Sequence, residues 1–296
     1  MKRDVTEWME KTLYGSSMIR GIAEALQKIM NALFLNSPLK PLKTILNGTW
    51  LGHPLHPVIT DVPVGAWTVA ILFDLVALIF GVATLGLASG IAIGLGVLAA
   101  LAAIVTGLMD WMDVDPPELA VGVTHGLINI IATVLFAISF LVLWSQNWTI
   151  GWADFIPALV GYLAVTVGAY IGGSLVFRQG VMINRDAYQH GPDKFVPVLR
   201  TDELPDNTPK RVDAKGRPVL LIRRGEDLYA IGAVCSHYGG PLEEGKLVDN
   251  QIECPWHSSR FALENGRVKA GPASAPVPQY ETRINGRQIE VRERKA

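Results

Sequence analysis

Cys235-Ser236-His237-Tyr238-Gly239-Gly240-Pro241-Leu242-Glu243-Glu244-Gly245, followed by Cys254-Pro255-Trp256-His257-Ser258-Ser259, decides how the C-terminal part of this chain is read. Each stretch offers one thiol and one imidazole, first at Cys-x-His and then at Cys-x-x-His spacing. Cys235 and Cys254 are the only 2 cysteines of the 296 residues. One possible bond is too few for the disulfide framework of a small secreted domain. A histidine at ligand spacing beside each thiol favours metal, and reduced thiols suit a cytosolic face. A Cys₂His₂ zinc site is one candidate, but zinc fingers group the cysteines first and the histidines second. Here the ligand types alternate.

The pattern around these loops is that of short strands. Phe195–Leu199, Pro218–Arg223 and Asp227–Ile231 are apolar runs punctuated by Gly and Pro, which predicts a small antiparallel β domain over 195–296, after a linker at 183–194. Asn285-Gly286 signals a hairpin before a final strand at Gln288–Arg292.

Tyr229-Ala230-Ile231, the two ligand stretches, Phe261, Gly266 and Gly271-Pro272-Ala273 together resemble Rieske [2Fe–2S] domains, over about residues 195 to 292. In such centres two cysteines hold one iron and two histidines the other, and the neutral imidazoles raise the potential. The resemblance implies a [2Fe–2S] cluster held by Cys235, His237, Cys254 and His257. It places Gly239, Gly240, Pro241, Pro255 and Ser259 around the cluster, with Gly239 to Pro241 as a covering loop and Gly245 in a turn conformation unfavourable to other residues. Cytochrome bc-type relatives carry a further cysteine in each loop, joined as a disulfide. This chain has Gly240 and Trp256 there, so the pattern is closer to the ferredoxin-like group. Ser258 stands where many relatives have glycine. Ser259 matches a serine that donates to cluster sulfur in high-potential members, and Phe261 replaces their tyrosine. A potential below that of the cytochrome bc-type centres is expected.

The rest of the chain is a different material. Residues 44–177 contain no lysine or arginine, although the chain has 26. Runs at about 62–82, 85–109, 119–144 and 155–177 are each long and apolar enough to cross a bilayer as a helix. A soluble bundle would need polar faces that these runs lack. Gly86, Gly90 and Gly94, and again Gly168 and Gly172, fall every fourth residue, as in membrane helices whose backbones approach closely. Trp111, Trp144, Trp148 and Trp152 lie near span ends, as in an aromatic belt. The expected architecture is a multidomain membrane protein: a four-helix transmembrane bundle at 49–182 joined to an all-β, Rieske-type antiparallel domain.

Residues 1–48 lack the apolar core and cleavage site of a signal peptide. Ile19, Ile22, Leu26, Ile29, Met30 and Leu33 recur at helical spacing, which suits either an interfacial amphipathic helix or one covering the inner face of the protein. Lys2, Arg3, Lys11, Arg20, Lys28, Lys40 and Lys43 precede the spans, and Arg178, Arg185 and Lys194 follow them. The first and third connections have no basic residue; the second, Asp110–Glu118, is acidic. By the positive-inside rule the protein is multi-pass in a bacterial inner membrane, with both termini cytoplasmic.

Polar residues break the apolar block at Gly52-His53-Pro54-Leu55-His56-Pro57, Asp61, Asp74, Asp110, His125 and Asn129. With the closing Gly172-Gly173-Ser174-Leu175-Val176, these pieces resemble an uncharacterised bacterial four-helix membrane domain with a GHPLHP motif, over about residues 49 to 182. Where that domain has a histidine near its end, this chain has Gln179. The topology gathers His53, His56, Asp110 and His125 on the cytoplasmic side, with Asp74 near the middle of the first span. Ionisable groups in lipid are costly and often functional. Three readings stand: mutual hydrogen bonding alone, a pocket for quinone or another redox partner, or a haem between two histidines such as His56 and His125.

One-electron transfer at the cytoplasmic membrane surface is the leading function, with unidentified redox donor and acceptor. A membrane oxidoreductase or a cluster-based redox sensor are the alternatives. A ring-hydroxylating oxygenase needs a mononuclear iron site on a large catalytic domain, yet only residues 258–296 follow His257 and none is histidine. A net charge of −1 offers no field for nucleic acid.

Overall fold

The computed structural model describes residues 11–13, 16–35, 37–115 and 118–294. Residues 1–10 of the N-terminal segment and Pro116-Pro117 of the second connection lie outside the described residues. The chain forms two compact units. One comprises Met1–Lys40 and Leu55–Val181; the other comprises Pro41–Pro54 and Met182–Ala296. The stretch preceding the first membrane helix therefore belongs with the C-terminal unit.

Six helices are described: α1 (Ser17–Phe34), α2 (Lys40–Leu46), α3 (Leu55–Phe80), α4 (Leu85–Trp111), α5 (Glu118–Ser145) and α6 (Trp152–Phe177). The last four are long and apolar enough to cross a membrane. α3 starts seven residues before the expected span and passes through Pro57 and Pro63. Pro57 falls in the first turn, where its missing N–H has no intrahelical partner to lose. Pro63 is interior and buried. Because α3 begins at Leu55, Asp74 lies in its last third rather than at its middle.

The bundle core is aromatic. The Trp67 indole stacks on Phe136, with centroids 4.1 Å apart and planes 8° from parallel. Gly96 makes that possible, since a Cβ there would lie 2.3 Å from Trp67 Nε1. Gly90, Gly94, Gly168 and Gly172 likewise receive side chains, whereas Gly86 faces the backbone carbonyl of Trp148. A Cβ on Gly90 would lie 2.3 Å from the Trp148 ring, and one on Gly94 3.1 Å from Phe140. Gly168 receives Asn129 and Gly172 receives His125. The aromatic belt is thus only partial. Trp144 and Trp152 face outward, whereas Trp111 is buried and its indole N–H donates to Leu119 O at 3.0 Å. Trp148 turns inward to fill the space beside Gly90.

α1 turns one face to the protein and leaves apolar residues of the other exposed. Ser16 caps it by accepting Ile19 N–H. Ala23 and Met30 are buried, and Gln27 donates to the carbonyls of Met112 and Val114. Met18, Ile22, Ile29 and Leu33 remain exposed.

The second unit is built from three antiparallel sheets, ordered β1 (Val196–Arg200)–β10 (Gln288–Glu293)–β9 (Tyr280–Asn285), β2 (Lys210–Asp213)–β3 (Pro218–Arg224)–β4 (Asp227–Gly232), and β5 (Lys246–Val248)–β6 (Gln251–Glu253)–β7 (Arg260–Ala262)–β8 (Val268–Ala270). Gln288 pairs with Asn285, so Gly286 and Arg287 form the two-residue loop of the final hairpin. β3 is central because both its faces are covered. Leu220 and Ile222 enter a core with Leu242, Ile252, Phe261 and both cysteines, while Val219 and Leu221 enter a second core with Val196, Ile289 and Val291. Side chains alternate across a strand, so one apolar run serves both cores. Gly245 corrects an expectation. Its φ of −75° and ψ of 176° are ordinary extended backbone. Glycine is needed there because a Cβ would lie 2.3 Å from Glu253 O.

Candidate metal centre

Two loops of the same design carry the four candidate ligands. In the first, Cys235 N–H donates to Gly240 O at 2.9 Å and Gly239 N–H donates to Cys235 O at 2.9 Å. In the second, Cys254 N–H donates to Ser259 O at 2.8 Å and Ser258 N–H donates to Cys254 O at 3.1 Å. Each loop closes through a residue in the left-handed region, Gly239 at φ 82° and Ser258 at φ 60°. The loops leave β4 and β6 and pack on the core that β3 shares, so both cysteines are buried within it.

The loops bring the ligand candidates together in like pairs. The two thiols are hydrogen-bonded to each other, which draws Cys254 down to about 7 and raises Cys235. Burial opposes ionisation at both. Backbone N–H groups of His237 and Tyr238 at Cys235, and of Trp256 and His257 at Cys254, favour the thiolate. The His237 and His257 rings stand 5.2 Å apart at 89°. Burial first, and then the charges of His257, Lys43 and Arg185, hold the His237 pKa well below the usual histidine value. It is therefore neutral, as a metal ligand must be. His237 Nε2 lies 3.3 Å from Met182 Sδ, while its Nδ1 is buried with no hydrogen-bond partner. A buried imidazole nitrogen left so is costly unless a metal takes it. Among the described residues, no three His, Cys, Asp or Glu side chains converge on the position of one ion. A thiol pair beside an imidazole pair instead suits two metals, one for each pair.

Close packing fixes the surroundings. A Cβ on Gly240 would lie 2.7 Å from Cys254 Sγ and 3.1 Å from the Trp256 ring. The two positions at which a loop disulfide would be expected in cytochrome bc-type relatives thus touch, and glycine against indole replaces it. Pro241 pairs with Val234 at the base of the first loop, and Pro255 is exposed. Ser259 is fully buried; its Oγ accepts Ala273 N–H at 3.1 Å, which leaves its own proton to donate. Phe261 is buried in the core below. Missed by sequence reasoning was the role of 271–275. Ser236 Oγ donates to Ala275 O at 2.6 Å, so this segment is bonded to both ligand loops. The Gly271-Pro272 pair was the available signal. Gly271 has φ 84°, and a Cβ on it would lie 2.6 Å from Ser259 Cα.

The membrane residues divide. His56 Nδ1 donates to Ala103 O and His125 Nδ1 to Gly168 O, both at 2.8 Å, and the two rings stand 6.3 Å apart at 87°. Asn129 donates to His125 O. His56 lies within α3, not before it. His53 belongs to the other unit, is exposed, and bonds Pro54 O through Nδ1. Asp110 is buried at the end of α4. Asp74 accepts from Ser89 Oγ at 2.5 Å through Oδ1, while its buried Oδ2 has no hydrogen-bond partner.

Comparison with known proteins divides the chain in the same way. Residues 194–281 match the Rieske [2Fe–2S] domain, and residues 52–185 match the family described as "Predicted membrane protein (DUF2231)". The chain is 34% identical over 95 residues to the ferredoxin subunit of anthranilate 1,2-dioxygenase from Burkholderia cepacia, covering 32% of this chain and 88% of that protein. It is 35% identical over 92 residues to the cytochrome b6-f complex iron-sulfur subunit of Chlorobaculum thiosulfatiphilum, covering 31% of this chain and half of that one. Among solved structures, the ferredoxin of carbazole 1,9a-dioxygenase from Nocardioides aromaticivorans IC177 is 33% identical, with a TM-score of 0.33, covering 34% of this chain and 99% of that one.

The loop geometry yields one prediction. A left-handed non-glycine residue costs roughly 1–2 kcal/mol. Ser258→Gly should therefore stabilise the C-terminal unit by about 1 kcal/mol, read as a higher urea midpoint for loss of its visible absorption.

Proposed function

The chain belongs to the Rieske [2Fe–2S] family, and on that footing we propose that it is a membrane-anchored one-electron carrier working at the cytoplasmic membrane surface. The observation that carries this reading is the thiol pair beside the imidazole pair, with His237 Nδ1 buried and unpartnered. Cys235 and Cys254 hold one iron and His237 and His257 the other. When bound, the cluster supplies a site for one electron and makes no bonds.

The chain's own residues insulate and tune that site. Cys235, Cys254 and His237 are shielded, while His257 is only partly buried and the neighbouring Trp256 is 51% exposed. That edge is the route for the electron. Gly239, Gly240 and Pro241 shape the first loop, and Pro255 the second. Ser259, whose proton is left free by its bond from Ala273 N–H, would donate to the cluster, and Phe261 offers no hydroxyl. The basic residues before α3 and after α6 support cytoplasmic termini in a bacterial inner membrane. Redox donor and acceptor are separate molecules, and the bilayer is the partner of the four long helices.

Stoichiometric reduction tests the proposal. One electron per chain should bleach the visible absorption of the purified protein, and Cys254→Ser or His257→Ala should abolish that change. Uptake of no electron, or an unchanged response in either variant, would count against it. Restoring the hydroxyl in Phe261→Tyr should raise the midpoint potential. A hydrogen bond worth ~0.5–1.5 kcal/mol corresponds to roughly 20–60 mV for one electron.

The His56–His125 approach favours a second reading, in which the helical bundle holds its own redox site. Each ring donates from Nδ1 to a carbonyl, which leaves Nε2 with a lone pair. Such second-sphere bonding is typical of metal-ligating histidine. Haem, or a quinone beside the pair with Asp110 nearby in the chain's topology, are the occupants it would suit; His53 is not part of it. A haem Soret band in the purified protein that His125→Ala removes would support haem. A spectrum without that band, and cluster reduction by quinol unaltered in His125→Ala, would leave the pair a structural role.

A further inference from the structure

Met182 opens the longer part of the C-terminal unit. The stretch after it reads as a linker in the sequence, yet it is bound along the first ligand loop. Arg185 N–H donates to Ser236 O at 3.0 Å. Asn184 Oδ1 accepts Asp186 N–H at 2.9 Å, which turns the chain. Gln189 Nε2 donates to Arg185 O at 2.8 Å, and its Oε1 accepts from the Arg217 guanidinium at 2.9 Å. Residues 182–189 are therefore a strap, fastened beside His237 and again just before β3.

Met182 is the first residue of that strap, and its backbone is unusual. Its φ of 62° lies in the left-handed region, which is costly for a residue with a Cβ. Such a conformation persists where the surroundings hold it, and it tends to mark a working site. Here it accompanies a specific contact. Met182 Sδ lies 3.3 Å from His237 Nε2. A thioether has no proton to give, so Nε2–H is the donor and sulfur the acceptor. In a neutral ring that leaves Nδ1 bare, and Nδ1 is the buried nitrogen without a partner. One nitrogen is open to a metal and the other is covered by Met182. His237 is 4% exposed, whereas His257 is only partly buried. The two ligand loops share one hydrogen-bond pattern, so this difference comes from what lies over them.

We propose that Met182 is a cap on His237, closing that side of the centre so that water and redox partners meet it at His257. This rests on the cluster reading above. A thioether suits the task, since it fills an irregular gap and accepts weakly without adding charge. Met182 touches a ligand and no reacting partner. It is a positioning residue, and it decides which ligand imidazole a partner can hydrogen-bond.

Carbethoxylation of the full-length, cluster-loaded protein by diethyl pyrocarbonate tests the cap, because the reagent needs direct access to an imidazole nitrogen. Peptide mass mapping of initial rates separates the two ligands, and EPR of each reduced sample verifies the cluster. In the wild type, His237 should react about tenfold more slowly than His257. Met182→Gly removes the cap and suits the left-handed backbone. It should bring His237 to within about threefold of His257. Met182→Leu keeps the bulk without the sulfur and should retain the protection. Equal rates in the wild type, or protection unaltered in Met182→Gly, would overturn the proposal. Should Met182→Gly lack the EPR signal, Met182→Ala takes its place under the same two criteria. Loss of the signal in both, with Met182→Leu intact, would make Met182 a residue of cluster assembly and overturn the cap. Absence of the signal in the wild type would instead strike the cluster reading itself.

Discussion

Two buried thiols held within hydrogen-bonding reach of each other are the constraint on which the C-terminal unit depends. Each would repel the other as a thiolate, and burial alone resists ionising either. The fold answers with backbone N–H groups aimed at both sulfurs and with the neutral His237 imidazole beside them. Two loops of the same hydrogen-bond pattern supply this, and β3 underlies them by filling two cores from its two faces. In the absence of a loop disulfide, bracing comes from Trp256 on Gly240 and from the bonds of 271–275 to Ser236 and Ser259.

The four-helix unit obeys a different constraint. Its helices have no polar face, so burial of apolar surface does not distinguish one packing from another in lipid. Shape does. Gly96 accepts Trp67, Gly90 accepts Trp148, and Gly168 and Gly172 accept Asn129 and His125. Some of the polar groups that remain bond to neighbouring helices, as Asp74 does to Ser89 and His56 to Ala103. These bonds specify the bundle where apolar contact cannot.

Much of this was legible in the residues, and the failures have physical causes. Cys235, His237, Cys254 and His257 could be read because metal ligation demands fixed residue types at fixed short spacing. β1, β3 and β4 could be read because a strand alternates faces. The start of α3 could not, because Pro57 looks like a breaker until its place in the first turn is known. Gly245 was assigned a strained turn when it is the close approach of Glu253 O that excludes a side chain. His53 and His56, three residues apart, fall in different compact units, which spacing alone does not reveal. Lys43 was counted only as a topogenic charge, yet it is buried in a segment whose Thr44 bonds Gly271, far along the chain.

The central claim is that this membrane protein carries a two-iron centre on two thiols and two imidazoles. Metal and acid-labile sulfide analysis of the purified full-length protein, joined to EPR of the reduced sample, tests it most directly. About two irons and two sulfides per chain, with a Rieske-type signal on reduction, are predicted. Zinc without sulfide, and no signal on reduction, would contradict it.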